Sequence, residues 1–250
     1  RQGYVNLLPV SQKHSRQPGD SRLQVAARRE FLEGGFYAPI ARALTALLAN
    51  AAPERILDVG CGEGYYLQAL QQAFPGAQCF GVDISKDAVR YAAVRCKGAV
   101  CLTATASHLP FFDGVFDALT SLFALTLPQE FTRVLRPGGT FLQVTAGREH
   151  LLALKSLIYP RLTPKAPKTD AELPGFILEK EEKLEFFLHL SAPEQVMQLL
   201  YMTPHAMRIG KEGLLRAQQA EHLEDRAQVL FRLYRKCPAP DTSEMEKQHD

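Results

Sequence analysis

The sequence predicts an α/β fold with a mostly parallel sheet flanked by helices and an N-terminal helical segment. Three observations predict this fold. From residue 54 onward, short apolar runs alternate with helical patterns. A glycine-rich turn follows the first run, and an acid, Asp83, ends the second. Strands that alternate with helices form βαβ units, which give parallel strands with right-handed crossovers.

The first predicted unit, residues 1–50, is a basic arm followed by helices. Residues 1–20 contain proline and glycine breakers and are expected to be irregular. One helix is predicted over residues 21–33, with Ser21 as its N-cap, and a second over residues 37–50.

The second predicted unit, residues 51–236, contains the alternating elements. Its predicted strands are 55–59, 79–82, 100–103, 116–122, 140–145, 182–190 and 226–235. Its predicted helices are 65–74, 85–95 with Ser85 as the cap, a short one before residue 136, 150–159 and two short ones between the last two strands. The proline-rich residues 160–175 predict a loop or lid. The polar residues 237–250 predict a disordered tail.

The composition excludes several classes of protein. With 46% hydrophobic and 22% charged residues, the 250-residue chain is typical of globular proteins and not of disordered or fibrous ones. No apolar run approaches the roughly 20 residues that span a bilayer, so no membrane contact is expected. The five cysteines form no C-x-x-C pair, which argues against disulfides and against a metal site. Reduced thiols predict a cytoplasmic protein.

The most informative segment is the turn that begins at Gly60, after the first predicted strand. From Asp58 the chain reads Asp-Val-Gly-Cys-Gly-Glu-Gly. Glycine is needed where the backbone takes unusual angles or approaches a ligand closely. Ligands of open α/β sheets bind at the carboxyl ends of the strands, where this turn lies. A dinucleotide pattern, G-x-G-x-x-G/A, is excluded because Tyr65 occupies its third small position.

The D-x-G-x-G-x-G pattern resembles the first S-adenosylmethionine (SAM) motif of class I methyltransferases. The resemblance implies a Rossmann-like fold with a mostly parallel seven-stranded sheet, and SAM as the cofactor. It implies that Gly60 and Gly62 make room for the methionine moiety and that Asp58 orients its amino-acid end. Asp83 stands 23 residues beyond Gly60, where an acid can accept both ribose hydroxyls. Residues 135–139 match the turn before the fifth strand of these enzymes.

Further segments closely resemble the bacterial 23S rRNA (guanine-N1)-methyltransferases. They include the stretches that begin at Gly3, Lys13, Ala27 and His150. The resemblance implies methyl transfer to guanine N1 of 23S ribosomal RNA, and it suggests a homodimer. Members of that family carry an N-terminal zinc ribbon ahead of the segment that begins here at Gly3, so we expect either that the protein has lost the ribbon or that the ribbon lies upstream of Arg1. The SAM contacts that the resemblance implies are Tyr37, Gly62, Glu63 and His150.

RNA contacts are predicted from the basic N-terminal residues, although a solvated helix face explains the same charges. The candidates for phosphate contacts are Arg16, Arg22, Arg28 and Arg29. Guanine N1 carries a proton, so a general base or stabilisation of the developing O6 charge is needed. Candidates for the base are Asp20, Glu149 and His205. The target base would leave its stack and rest on an aromatic side chain such as Phe123.

Three alternatives stay open from the sequence. The SAM motifs also fit a methyltransferase that acts on a small molecule. A non-catalytic module that binds SAM or RNA is the second alternative. The third is a resistance methylase of the same family that acts on a neighbouring guanine.

Overall fold

The computed structural model describes residues 3–9, 11, 18–162 and 172–238. Three sequence predictions fall wholly or largely outside these ranges. They concern the phosphate contact of Arg16, most of the proline-rich residues 160–175 and most of the predicted tail, from residue 239 onward. Within the described ranges, no helix is long and apolar enough to cross a membrane.

The described residues form one mixed sheet with the strand order β1-β4-β3-β2-β5-β6-β8-β7. The first six strands pair in parallel, and β8 is antiparallel to both β6 and β7. Between β2 and β5 the order reverses, which opens a crevice at the carboxyl ends of these strands. The strands are β1 (Tyr4–Asn6), β2 (Arg55–Val59), β3 (Gln78–Asp83), β4 (Val100–Thr103), β5 (Phe116–Leu122), β6 (Leu135–Ala146), β7 (Phe176–Leu190) and β8 (Leu223–Lys236).

The described sheet has eight strands, whereas the sequence predicted seven. The additional strand is Tyr4–Asn6, in a segment that was predicted to be irregular. It pairs in parallel with β4 at the edge of the sheet. A strand of three residues is too short to show an alternating pattern, so only its pairing with a distant strand reveals it.

The helices follow the predicted order and use the predicted caps. The Ser21 side chain accepts a hydrogen bond from the Gln24 backbone in a capping box, and Ser85 accepts one from the Ala88 backbone. The predicted helix over residues 37–50 ends earlier, at Leu48, and a 3₁₀ turn follows it. The helices are α1 (Arg22–Glu33), α2 (Ala38–Leu48), α3 (Tyr65–Ala73), α4 (Lys86–Arg95), α5 (Pro128–Val134), α6 (Leu152–Ile158), α7 (Pro193–Tyr201) and α8 (Lys211–Gln219).

The last two strands are longer than the sequence predicted. β7 begins at Phe176 and not at residue 182, because the charged residues in its first half pair across to β8. Arg232 donates to Glu181 over 2.6 Å, and Arg235 donates to Glu179 over 2.9 Å. A run of charges hides the strand pattern in the sequence, and these cross-strand ion pairs stabilise it in the fold.

Two apolar clusters cover the two faces of the sheet. One includes Ala118 and Leu122 of β5 and packs against α1, α2, α6 and α7. The other includes Leu119 of the same strand and packs against α5. Alternate residues of β5 therefore face opposite clusters, as strand geometry requires. β5 is buried on both faces, which fixes the position of the residues that follow it.

Candidate cofactor-binding site

The glycine turn after β2 has a backbone that only glycine adopts easily. Gly60, Gly62 and Gly64 have φ values of +80°, +55° and +89°. A Cβ atom on Gly60 would lie 2.5 Å from the Cβ atom of Ala124, which follows β5. The Gly60 and Cys61 N–H groups both donate to the Val82 carbonyl, over 2.8 and 3.1 Å. The turn is thus held between the ends of β3 and β5.

Asp83 ends β3 and ties the glycine turn to that strand. One carboxylate oxygen accepts the Gly62 N–H over 3.0 Å, and the other accepts the Ser85 N–H over 2.8 Å. Burial raises the pKa of Asp83, and these two backbone donors oppose the rise. A carboxylate oxygen has two lone pairs, so Asp83 keeps acceptor capacity for ligand hydroxyls.

Glu63 is buried next to this acid and has an unused acceptor. Its side chain is only 2% exposed, and Oε1 has no hydrogen-bond partner among the described residues. Burial raises the pKa of Glu63. A buried acceptor without a partner costs about 1–3 kcal/mol, and a ligand that supplies a donor removes this cost. The glycine backbone and this free acceptor fit a ligand with amino and hydroxyl groups, such as SAM.

Asp58 lies deeper, inside β2. It accepts a hydrogen bond from the Thr120 hydroxyl of β5 over 2.7 Å. Its pKa is raised to about 7, chiefly by burial; the bond from Thr120 opposes the rise, and the neighbouring carboxylates of Asp83 and Glu63 contribute to it. Asp58 therefore joins β2 to β5 directly below the glycine turn. Thr120 was not among the predicted site residues, because Thr120 and Ser121 are two adjacent hydroxyls in a largely apolar strand and neither stands out in the sequence.

Tyr37 and His150 meet beside the same crevice, although 113 residues separate them. The Gln228 N–H donates to His150 Nδ1 over 3.2 Å, so Nδ1 is unprotonated and the ring proton lies on Nε2. Nε2 faces the Tyr37 hydroxyl at 3.4 Å. The pKa of His150 is lowered to about 4, mainly by burial and secondly by the positive charge of Lys155. His150 is thus a neutral side chain whose Nε2–H can donate to an acidic group.

We expect His150 to make the stability of the protein depend on pH. Its pKa is 6.5 without these interactions and about 4 in the fold, so between these values the unfolded chain binds more protons. The contribution of His150 to the free energy of unfolding, up to about 3 kcal/mol, is complete above pH 6.5 and is lost as the pH falls toward 4. The expected result is a weaker loss of stability in His150→Gln, measured by urea unfolding at several pH values. Asp58 titrates in the opposite sense, so the difference between wild type and variant is the relevant quantity; an identical pH dependence in the two would contradict the assignment.

The arginines that were predicted to contact phosphate lie in different surroundings. Arg22 is 82% exposed at its side chain and pairs with Asp87. Arg29 stacks on the Tyr91 ring, 4.9 Å from its centroid. Arg28 is partly buried, with a side chain that is 26% exposed, and it points at the glycine turn.

Arg28 pairs with Asp20 and also donates to the Met202 carbonyl over 3.2 Å. Its Nη1 atom lies 3.7 Å from the position that a Cβ atom would take on Gly62. Its positive charge lowers the pKa of both Glu63 and Asp83, against the larger effect of burial. Arg28 therefore belongs to the surroundings of the turn, which the spacing of the N-terminal arginines did not indicate.

The three candidates for a general base all have partners. Asp20 pairs with Arg28, and Glu149 pairs with Arg226. His205 Nδ1 lies 2.9 Å from the Tyr159 hydroxyl. The geometry favours none of the three over the others. The described residues hold no group of three or more His, Cys, Asp or Glu side chains arranged to bind a metal ion.

Comparisons with known proteins agree with this geometry. A family model described as a methyltransferase domain matches residues 57–143, from β2 into β6. A protein of Micromonospora griseorubida whose name assigns it as a 23S rRNA (guanine-N(1)-)-methyltransferase is 39% identical over 173 residues, which are 62% of this chain and 57% of that protein. The 23S rRNA (guanine(748)-N(1))-methyltransferase of Streptomyces fradiae is 36% identical over 159 residues, 62% of this chain and 56% of that protein. The chain thus spans less than two thirds of either relative.

Two further matches are either shorter or less identical in sequence. The demethylmenaquinone methyltransferase of Roseiflexus castenholzii is 36% identical over 135 residues, 48% of this chain and 57% of that protein. A solved structure concerned with the conversion of a disulfide bond into a thioacetal group during echinomycin biosynthesis has a TM-score of 0.53 and 16% identity. That similarity covers 82% of this chain and 85% of that one, and it shows the fold.

The fold, the glycine turn and the domain match define a class I methyltransferase domain, and SAM is the methyl donor of this class. Within the class, the chain is similar over 62% of its length to two proteins named as 23S rRNA (guanine-N1)-methyltransferases, which confirms the resemblance seen in the sequence.

Proposed function

We propose that this protein transfers the methyl group of SAM to N1 of a guanine in 23S ribosomal RNA. The supporting observation is the combination of sequence identity and extent of the similarity. The two rRNA methyltransferases align over 62% of the chain, whereas the domain model covers residues 57–143 and the menaquinone enzyme 48% of the chain. A malonyl-[acyl-carrier protein] O-methyltransferase aligns over 61% of the chain but is only 30% identical, against 39% and 36% for the rRNA enzymes, so identity and extent together favour the rRNA enzymes. Because ribosomal RNA lies in the cytoplasm, the proposed substrate implies a cytoplasmic protein.

The residues around the turn have distinct proposed roles toward SAM. Gly62 leaves room for the methionine moiety, because Arg28 Nη1, at 3.7 Å, is the nearest atom to the position its Cβ atom would take; Gly60 lets the turn pack closely against Ala124 and so positions it. Asp83 accepts from the ribose hydroxyls, and the unused oxygen of Glu63 accepts from a further donor. Asp58 holds β2 and β5 in place below them.

The methionine carboxylate is proposed to lie between the neutral His150 and Arg28. The Nε2–H of His150 donates to it, and the buried Tyr37 forms the wall beside it. Arg28 adds a positive charge from the other side of the turn. A carboxylate that meets both a ring N–H and a guanidinium gains charge-assisted hydrogen bonds.

Methyl transfer also requires that the protein hold guanine N1 in line with the methyl carbon and the sulfur of SAM. SAM, when bound, supplies an electrophilic methyl group on sulfur. A bond forms between guanine N1 and the methyl carbon, the bond from that carbon to sulfur breaks, and the N1 proton leaves to a base. Alignment of the three atoms contributes several kcal/mol to the lowering of the barrier. Asp20, Glu149 and His205 stay the candidates for the base.

The test is methyl transfer from labelled SAM to an unmodified 23S rRNA transcript, with the product nucleoside identified by mass spectrometry. The expected product is 1-methylguanosine, and demethylmenaquinone tested in parallel is expected to stay unlabelled. A labelled quinone with unlabelled RNA would support the small-molecule alternative instead. SAM binding without transfer to either substrate would support the non-catalytic alternative.

Binding measurements separate the proposed roles of two of the three arginines of α1, Arg22 and Arg28. Arg22→Ala is expected to weaken RNA binding and to reduce the salt slope by about one, with SAM affinity unchanged, because an exposed arginine releases about one counterion from a phosphate. Arg28→Ala is expected to weaken SAM binding roughly tenfold, the loss of one hydrogen bond to a charged group. Filter binding over a salt series and calorimetric SAM titration measure these quantities. Equal effects of the two substitutions on SAM affinity would contradict the division of roles.

A further inference from the structure

Phe123, the residue after β5, has a backbone conformation that bulky residues rarely adopt. Its φ is +54°, in the left-handed region. Its N–H nevertheless continues the sheet and donates to the Val144 carbonyl over 2.9 Å. Conformations of this kind persist only where the surroundings impose them, and they are concentrated at functional sites. The next residue, Ala124, is the one that contacts Gly60 of the cofactor turn.

The left-handed backbone coincides with a change in the direction of the Phe123 side chain. In a regular strand, residue 123 would share a face with Leu119, which packs in the cluster on the α5 side of the sheet. The ring instead lies 6.3 Å from the ring of Tyr37, which packs in the opposite cluster. It also lies 6.0 Å from the His150 ring, with only 27° between the two planes.

Phe123 is much more exposed than the side chains behind it. It is 42% exposed, whereas Tyr37 is 2% and His150 is 8% exposed. Two buried rings thus support it from one side, and the remaining ring surface faces solvent at the carboxyl end of β5. This position borders the crevice between β2 and β5, where the glycine turn lies. A rigid, exposed aromatic surface beside a cofactor turn fits a planar, apolar partner.

We propose that Phe123 is the surface on which the target guanine stacks after it leaves the RNA helix or loop. This inference rests on the proposed function, because it takes a nucleic-acid base as the substrate. Chemistry on N1 requires that the base be taken out of its pairing and stacking, and a protein ring replaces part of the lost stacking. The backbone of Phe123 aims the ring at the crevice, and the stacked His150 holds it there.

The experiment compares Phe123→Leu, which removes the aromatic plane, with Phe123→Tyr, which keeps it. Phe112→Leu is the matched control, since Phe112 is 88% exposed and precedes the opposite, amino end of β5. We expect Phe123→Leu to lower kcat/KM for the 23S rRNA transcript about 10- to 100-fold, in line with the loss of one base-stacking contact. SAM affinity is expected to stay within twofold of wild type in all three variants, which also shows that they fold. Phe123→Tyr is expected to keep most of the activity.

A second readout uses a short single-stranded RNA that carries 2-aminopurine, whose fluorescence falls when the base stacks on a ring. Wild type and Phe123→Tyr are expected to quench it, and Phe123→Leu is not. Equal quenching by Phe123→Leu, or an equal loss of SAM affinity and RNA activity in that variant, overturns the inference. If the wild-type protein quenches through Phe123 but forms no 1-methylguanosine, the guanine-N1 function fails and the stacking role stands.

Discussion

Gly60→Ala is expected to weaken SAM binding by at least about 100-fold. The added Cβ atom would lie 2.5 Å from the Cβ atom of Ala124, and the backbone at this position has a φ of +80°. The left-handed conformation alone costs an alanine about 1–2 kcal/mol, and the clash forces the turn away from β5. Movement of the turn displaces Gly62 and Glu63, which are proposed to contact the cofactor. Isothermal titration calorimetry with SAM measures the change.

Two further variants separate the causes of this loss. Gly76→Ala is the matched control, because an added Cβ atom there meets no heavy atom within 4 Å and the backbone is not left-handed. Its SAM affinity should equal that of wild type. Ala124→Gly in the Gly60→Ala background removes the clash but keeps the backbone strain, so partial recovery is expected. Wild-type SAM affinity in Gly60→Ala would refute the placement of the cofactor at this turn.

Asp83→Ala is expected to have the second largest effect on SAM binding. Loss of hydrogen bonds from the ligand to a charged acceptor costs about 1.5–3 kcal/mol, which corresponds to roughly 10- to 150-fold in affinity. The substitution also leaves the Gly62 and Ser85 N–H groups without their acceptor, so the turn itself is expected to loosen. Asp83→Asn keeps one acceptor oxygen and should fall between wild type and Asp83→Ala. SAM titration, together with urea unfolding without SAM, measures both consequences.

The control for this substitution is Asp113→Ala, which removes an acid that is mostly exposed and pairs with Arg133. It should leave SAM affinity unchanged. A folded Asp83→Ala protein with wild-type SAM affinity would remove Asp83 from the site. A protein that loses stability but keeps its SAM affinity would limit Asp83 to holding the turn.

The sequence alone determined the order of the elements and the position of the cofactor turn. The cap residues Ser21 and Ser85, the glycines from Gly60 and the acid at the end of β3 were all predicted correctly in their places. These features depend on interactions between residues that are close in the chain, such as capping bonds, backbone angles and apolar periodicity. Features of this kind can be predicted from the sequence without knowledge of the fold.

The tertiary structure decided the features that join distant parts of the chain. It added β1 to the sheet and lengthened β7 through ion pairs with β8. It directed Arg28 toward the glycine turn, and it set the tautomer of His150 through the Gln228 backbone. It also gave Phe123 its left-handed backbone beside Tyr37. Each of these depends on contacts across many residues, which packing selects and which no local pattern in the sequence encodes.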